Sequence, residues 1–159
     1  MAKTRHEFLC PVIVMNNFVK GTNYEIKNYA NGVSRITHKP SGAYVRLLTY
    51  DAMNKNGKYG KYMEIVSGKT PANVRGKGIG TTLRALATIY GNLKKVNSMI
   101  QTGINKEKRS RNRNGVKIPT STWILRERLK WRKLYNYVST FEPAVNNIRP
   151  SKNWVRAHL

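Results

Sequence analysis

Residues 74–83 read V-R-G-K-G-I-G-T-T-L, and the prediction of the fold starts from this stretch. Its three glycines, at positions 76, 78 and 80, stand just before a segment with helical periodicity. Glycines at such a place let backbone N–H groups converge on one point, where the N-terminus of the following helix adds positive potential. The stretch is therefore either a cradle for a phosphorylated ligand or an ordinary tight turn that enters a helix.

Strands are predicted on both sides of the glycines, with a helix directly after them. Residues 43–67 alternate as two strands joined by a turn that contains Asn56-Gly57, a strong hairpin signal, and residues 33–37 are typical of another short strand. Over residues 81–96, apolar side chains recur at helical spacing, and residues 98–104 predict a further strand. The apolar face of the helix comprises Leu83, Leu86, Ala87, Tyr90 and Leu93.

The two ends of the chain give weaker patterns. Residues 8–15 (FLCPVIVM) predict a first strand. Residues 105–118 predict a basic, Asn-rich loop, and residues 122–138 predict a second helix. The tail is expected to end in a short strand around Trp154–Val155. Taken together, the elements predict one α+β (mixed α/β) domain over residues 1–159, with a mostly antiparallel twisted sheet flanked by helices.

The composition predicts a single basic domain. Thirty Lys and Arg against seven Asp and Glu give a formal charge of +23, and 40% of the residues are apolar, which is enough for one core. Such a charge attracts polyanions, and nucleic acid is the expected partner rather than a membrane surface. A solvated basic surface that only aids solubility is the alternative.

The reactive side chains exclude several kinds of site. Cys10 is the only cysteine, so no intrachain disulfide is possible, and we expect it in the core. The three histidines have no metal-ligand spacing, so no metal site is expected. No apolar run reaches the roughly 20 residues of a membrane span, and the N-terminus lacks a signal-peptide cleavage pattern. We therefore expect an intracellular protein, cytoplasmic or, if it is encoded by a phage, located in the host cytoplasm or the virion.

The positive charge is concentrated between residues 106 and 133. Within the predicted second helix, Arg126, Lys130 and Lys133 are spaced to share one face. A basic loop and this helical face together predict a surface that binds nucleic-acid phosphates with little sequence readout. The predicted contacts are Lys106, Lys108, Arg109, Arg111, Arg113, Lys117, Arg126, Lys130 and Lys133.

The glycine stretch resembles a motif of a known family. It fits neither the dinucleotide fingerprint nor the P-loop. The run from Arg75 to Gly80 resembles R/Q-x-x-G-x-G, the acyl-CoA pyrophosphate loop of the GNAT superfamily of N-acetyltransferases. In that family the loop follows the fourth strand and opens the third helix, and the resemblance covers about residues 61–104 and, more thinly, 131–141. It implies that these residues bind acetyl-CoA: Val74, Arg75, Gly76, Lys77, Gly78, Ile79, Gly80 and Thr81.

The resemblance also implies a chemistry. Transfer of an acetyl group from a thioester to an amine needs a neutral amine, a polarised carbonyl and a protonated leaving thiolate. Glu64 resembles the general base of many family members, and Tyr135 resembles the tyrosine that protonates the CoA thiolate. The alternatives are an exposed strand carboxylate and a core aromatic. A basic insertion, about 106–122, separates the predicted fifth strand from the helix of Tyr135, which is a departure from the family pattern.

Two functions are open at this stage. The first is an acetyl-CoA-dependent N-acetyltransferase that acts on an amine of a nucleic acid, such as an aminoacyl-tRNA, or of a protein bound to one. The second keeps the acyltransferase fold with weak or no catalysis, as a basic nucleic-acid-binding protein or a structural or assembly component of a phage particle. The first needs the loop and Tyr135, whereas the second needs only the basic surface. Whether the chain forms a homodimer is also open.

Overall fold

The computed structural model describes residues 10–53, 56–101, 110–113, 116–119, 124, 129, 132–133, 141–142 and 152–159. Within these residues the chain is an α+β structure, in which helices flank a five-stranded mixed sheet. The helical elements are α1 (Pro11–Val19), a 3-10 turn (Ala72–Val74), α2 (Ile79–Leu93) and α3 (Lys152–Ala157). The strands are β1 (Tyr24–Asn28), β2 (Val33–His38), β3 (Ala43–Met53), β4 (Tyr59–Lys69), β5 (Ser98–Gln101), β6 (Ser110–Arg113), β7 (Val116–Pro119), β8 (Arg132–Lys133) and β9 (Phe141–Glu142).

The main sheet follows chain order from β1 to β5. The first four strands pair antiparallel, whereas β5 lies parallel to β4. Since a parallel neighbour cannot be reached by a tight turn, the chain crosses over as α2 between these two strands. The predicted strand at 33–37, hairpin at 43–67 and helix at 81–96 are confirmed as β2, β3–β4 and α2. The strand predicted at 98–104 is confirmed as far as Gln101, and its last residues lie outside the described part of the chain.

The core lies between one face of the sheet and the helices. Alternate strand residues such as Ile36, Leu47 and Ile65 are at most 2% exposed and point toward α2, which is also contacted by α1 and α3. The apolar face predicted for α2 is buried except at Leu93, which is 36% exposed where the helix ends. Burial of this face, more than intrinsic helix propensity, fixes α2 across the sheet.

One polar pair is buried inside this core. The Tyr90 hydroxyl of α2 lies 3.3 Å from Ser34 Oγ of β2, and Ser34 in turn donates a hydrogen bond to Asn28 Oδ1 at 2.9 Å. Ser34 has no exposed surface and Tyr90 is 1% exposed. Because buried hydroxyls are costly without partners, this chain of bonds fixes the position of the helix on the sheet.

The N-terminal prediction was wrong, because residues 11–15 belong to α1 rather than to a strand. Pro11 occupies the first turn of the helix, where its missing N–H costs nothing, whereas in a strand it would remove a ladder donor. Met15 and Val19 are one helical turn apart and buried. Cys10, predicted in the core, is instead the exposed residue before the helix.

Three predictions for the C-terminal third were also wrong. The predicted loop at 105–118 contains the antiparallel hairpin β6–β7, whose Val116 and Ile118 give an alternation that the surrounding charges obscure. Of the helix predicted at 122–138, Ile124 is helical, whereas Arg132–Lys133 form β8, which pairs with β9, so the prediction is wrong toward its C-terminal end; most of that segment lies outside the described residues. The tail around Trp154–Val155 is helical, since two neighbouring apolar residues define no period.

Candidate functional site

The predicted ligand loop joins the end of β4 to the start of α2. Its first two glycines adopt left-handed backbone, with φ of 81° at Gly76 and 80° at Gly78, a region that glycine enters without strain. A Cβ atom at either position would meet no heavy atom of the described residues within 4 Å. Among these residues, backbone conformation and not close packing therefore requires the two glycines.

Helix α2 begins directly at this loop. Gly78 is its N-cap residue, and no side chain caps the helix in the part of the chain that the structure describes. The Gly78 carbonyl accepts hydrogen bonds from the backbone N–H and the hydroxyl of Thr82, each at 2.9 Å. The N–H groups of Ile79, Gly80 and Thr81 belong to the first turn, where the helix supplies no carbonyl. The turn thus presents donors and the positive end of the helix dipole to the loop.

The other loop residues differ in burial and in what their side chains contact. Val74 is half-buried and packs against the core. The exposed Arg75 folds back, since its Nε donates to the Thr70 carbonyl at 3.0 Å. Lys77 is exposed and lines a cavity beside the helix. The structure therefore brings the predicted cofactor-binding residues together, with Lys77 as the cation nearest to the glycines in sequence.

A further cation at the start of α2 was missed in the sequence. The half-buried Arg84 donates from Nη1 to the Gly80 carbonyl at 3.2 Å and from Nε to Gln101 Oε1 at 3.1 Å. It therefore joins the first turn of α2 to the end of β5. A Cβ atom on Gly80 would lie 3.3 Å from Arg84 Nη1, so Gly80 leaves the space that the guanidinium occupies. The available signal was a single charged residue within the otherwise uncharged helix segment 81–91.

Strand β4 is irregular at the position where its pairing with β5 ends. On the β3 side, Val66 is an extra residue between the paired positions Ile65 and Ser67, which is a β-bulge. On the other side, the last pair with β5 joins Ile65 to Gln101, although β4 continues to Lys69. A bulge bends its strand and leaves backbone groups unpaired. The end of β4 that leads into the loop therefore has backbone groups that β5, as described, does not use.

Glu64, the predicted general base, lies on the face of the sheet opposite α2, because its neighbours in β4 are buried beneath that helix. It is half-buried between Leu48 of β3 and Ile100 of β5. The Tyr50 hydroxyl donates a hydrogen bond to its carboxylate, and the Tyr62 ring stacks on Tyr50 with centroids 5.9 Å apart. Burial, and then the charge of Glu64, raises the pKa of Tyr50 above its ordinary value of 10.

The predicted nucleic-acid contacts fall on the C-terminal third. Arg111 and Arg113 lie on β6, Lys117 on β7 and Lys133 on β8. The remaining contacts and the predicted acid lie outside the described residues: Lys106, Lys108, Arg109, Arg126, Lys130 and Tyr135. Their roles stay predictions from the sequence.

Comparison with known proteins found no matching family model, no matching curated protein and no matching solved structure. Among the described residues, no group of His, Cys, Asp and Glu side chains could hold a metal ion. No helix in the described part of the chain is long and apolar enough to cross a membrane. The site must therefore be interpreted from its own geometry.

Proposed function

We propose that this protein is an acetyl-CoA-dependent N-acetyltransferase with a GNAT-like fold. Its acceptor is an amine of a nucleic acid, such as an aminoacyl-tRNA, or of a protein bound to one. One observation carries the proposal: a bulged β4, a loop with two left-handed glycines, α2 and a parallel β5 follow one another without interruption. This is the order of strand, loop, helix and strand that the loop motif implies, although α2 is the second α-helix of the described chain and not the third.

The loop supports binding of the CoA pyrophosphate. Since Gly76 and Gly78 carry no side chain, an anion can approach the backbone closely at this point. The first-turn N–H groups of α2, for which the helix itself supplies no carbonyl, and the helix dipole both favour negative charge there. Lys77 adds a cation, whereas Arg75 is engaged with the chain itself. In the proposal, a pyrophosphate is held by backbone donors and by a lysine.

The end of the β4–β5 pairing supports a place for the thioester arm. Beyond Ile65, the described part of β5 does not pair with β4, and in the proposal the backbone N–H and C=O groups of β4 there bond an extended ligand, in the way that a peptide adds to a sheet edge. An N–H group at the Val66 bulge can polarise the thioester carbonyl. The phosphates and the acyl group would then lie along one strand.

Glu64 is the proposed base that takes a proton from the acceptor amine, directly or through water. At the rise of a β-strand, it lies about 16 Å along β4 from Lys69, where the loop begins. The Tyr50 hydroxyl donates a hydrogen bond to the carboxylate and so fixes its orientation. Tyr135 is the proposed acid for the departing thiolate.

The charge supports an anionic acceptor. A chain with a formal +23 concentrates polyanions at its surface and speeds their association. In the proposal, the basic insertion at about 106–122 holds the phosphate backbone of the acceptor. Such contacts position the acceptor without selecting its sequence, so specificity depends on the amine that reaches Glu64.

The test is calorimetric titration with acetyl-CoA at about 0.3 M salt, where screening weakens non-specific attraction of anions. The wild type, Gly78→Asp and Gly78→Asn are compared. Asp and Asn have nearly the same shape, and both tolerate left-handed backbone, so the pair isolates the added charge. A carboxylate near a phosphate costs about 4 kcal/mol at 4 Å. We therefore expect Gly78→Asp to bind acetyl-CoA at least about a hundredfold more weakly than Gly78→Asn.

Equal affinity of the two variants, or absence of saturable binding in the wild type, would contradict the loop assignment. In that case the alternative function is favoured, and a DNA duplex titrated under the same conditions tests it. Binding of the duplex without acetyl-CoA would identify a basic nucleic-acid-binding or particle-assembly protein. With acetyl-CoA binding established, Glu64→Gln is expected to slow transfer about 10²–10⁴-fold at unchanged affinity for acetyl-CoA.

A further inference from the structure

A cavity of about 410 Å³ opens beside the start of α2. Its walls come from β1, the β2–β3 turn, the ligand loop, the first turn of α2 and the end of α3, so that segments distant in sequence meet there. The polar side chains that line it include Tyr24, His38, Ser41, Asn73, Lys77 and His158. Since Lys77 also belongs to the glycine loop, the cavity is continuous with the proposed phosphate site.

The charge of the lining restricts the ligand. No Asp or Glu side chain is among the described residues of the wall, whereas Lys77 and two histidines are. A protonated amine would find no Asp or Glu carboxylate in the described wall to offset its charge and would face Lys77. The cavity therefore suits a neutral or anionic group, and it is a poor site for the amine acceptor.

Two aromatic rings of the wall are held in place by neighbours. The His38 ring lies 5.0 Å from the Tyr24 ring, and its Nδ1 is hydrogen-bonded to Ser41 Oγ at 2.7 Å. The His158 ring stacks on Trp154 at 3.7 Å, with its Nδ1 bonded to the Trp154 carbonyl at 2.8 Å. Burial lowers the pKa of His38 below its ordinary value of 6.5, so folding disfavours the charged form of this ring. The cavity thus has preformed flat surfaces.

The remaining features match a nucleoside. Pro40, Val74 and Ile79 add apolar surface, and the Asn73 amide and the Ser41 hydroxyl supply donors and acceptors for the edge of a base. Binding pockets for small molecules range over about 300–1,000 Å³, which places this cavity at the small end. It is large enough for a base with its sugar and too small for a whole molecule of acyl-CoA.

We propose that the cavity binds the base and ribose of a nucleotide whose phosphates lie on the glycine loop. The inference rests on the proposed function for the placement of the phosphates. The shared chemistry is that of a nucleoside diphosphate, which either the nucleotide end of an acyl-CoA or a free nucleotide would supply. Aromatic stacking gives the affinity of the base, and Lys77 joins the two parts of the site.

The experiment is calorimetric titration of ADP, inorganic pyrophosphate and acetyl-CoA at about 0.3 M salt. Asn73→Trp fills the cavity from an exposed position, and Asn17→Trp, exposed on α1, is the matched control. In the wild type and in the control, ADP is expected to bind about tenfold to a hundredfold more tightly than pyrophosphate, the gain that stacking of one base supports. In Asn73→Trp, ADP is expected to bind no better than pyrophosphate, whose own affinity is unchanged.

The inference is overturned if the wild type binds pyrophosphate as tightly as ADP, or if Asn73→Trp leaves ADP affinity unchanged. His158→Ala, which removes an exposed ring of the wall, is expected to weaken ADP several-fold and keeps the test valid should the tryptophan variant not fold. An equal loss of acetyl-CoA and ADP in Asn73→Trp identifies the nucleotide end of the acyl donor. If ADP is lost in Asn73→Trp and the wild type binds no acetyl-CoA, the inference holds for a free nucleotide while the proposed function fails.

Discussion

The turn between β1 and β2 leaves no room for a side chain at Gly32. A Cβ atom there would overlap the backbone carbonyl oxygen of Thr49 in β3, and Gly32 has a left-handed φ of 75°. The Gly32 carbonyl also accepts a hydrogen bond from the Thr49 N–H at 2.9 Å. Because the obstacle is a backbone atom, no change of rotamer can relieve it. In Gly32→Ala the turn must therefore move away from β3.

The expected loss of stability follows from the strained backbone and the lost hydrogen bond. Left-handed backbone costs an alanine about 1–2 kcal/mol, and loss of the bond to Thr49 costs about 0.5–1.5 kcal/mol. Gly32→Ala is thus expected to lower the free energy of unfolding by about 2–3 kcal/mol. For a chain of this size, each kcal/mol shifts Tm by about 2–4 °C, so we expect a fall of about 5–10 °C.

Thermal unfolding followed by far-UV circular dichroism measures the effect. The matched control is Gly21→Ala, since Gly21 has the same φ of 75° and a Cβ atom there would meet nothing within 4 Å. It should lose only the conformational part, about 1–2 kcal/mol. Equal losses in the two variants would refute the close approach of the turn to β3, and with it the register of the sheet that carries the site.

Three further predictions concern polar groups near the site. Ser34→Ala removes the Ser34 hydroxyl from the buried Tyr90 hydroxyl and is expected to lower the free energy of unfolding, measured in urea, by about 1–3 kcal/mol. Tyr90→Phe is expected to cost less, roughly 0.5–1.5 kcal/mol, and the reverse order would contradict the hydrogen bond between the two residues. Folding lowers the pKa of His38, so the unfolded chain binds a proton on this ring more readily, and the free energy of unfolding falls as pH drops from 7 through 6.5. His38→Gln should flatten this pH dependence of stability, and an unchanged pH dependence would contradict the burial of His38. Glu64→Gln removes a charge that raises the pKa of Tyr50, so the tyrosinate absorbance of Tyr50 should appear at lower pH. Comparison with a Tyr50→Phe variant identifies this absorbance, and an unchanged or raised pKa of Tyr50 would contradict its contact with Glu64.

The middle of the chain could be predicted because its signals are local. Asn56-Gly57 marks the β3–β4 turn, and Gly57 adopts the positive φ of 76° that such turns require. The apolar period of α2 and the glycines before it need no information from elsewhere in the chain. The pair Asn31-Gly32 gives the same hairpin signal between β1 and β2, with both residues at positive φ, and could have predicted β1 as well.

The N-terminal helix shows why a short apolar run is ambiguous. Residues 11–15 are apolar without a clear period, and the period appears only when Met15 and Val19 are taken together. Pro11 was the deciding residue, since it fits the first turn of a helix and not the interior of a sheet. The position of Arg84 was hidden for another reason: its role depends on Gln101, which the sequence alone does not place beside it.

The location of the candidate site follows from topology more than from any single residue. Because β5 follows α2 and lies parallel to β4, the carboxyl ends of both strands and the N-terminus of α2 lie at the same end of the sheet. Ligands of α/β sheets bind at the carboxyl ends of the strands. The glycines at 76, 78 and 80 predicted the site at this end of the sheet. The bulge at Val66 could not be predicted, because it exists only in the register of β4 against β3. The cavity joins residues as distant as Tyr24 and His158, so it too required the folded chain. The backbone chemistry of the loop is thus encoded locally, whereas the groups that would select its ligand are assembled by the tertiary structure.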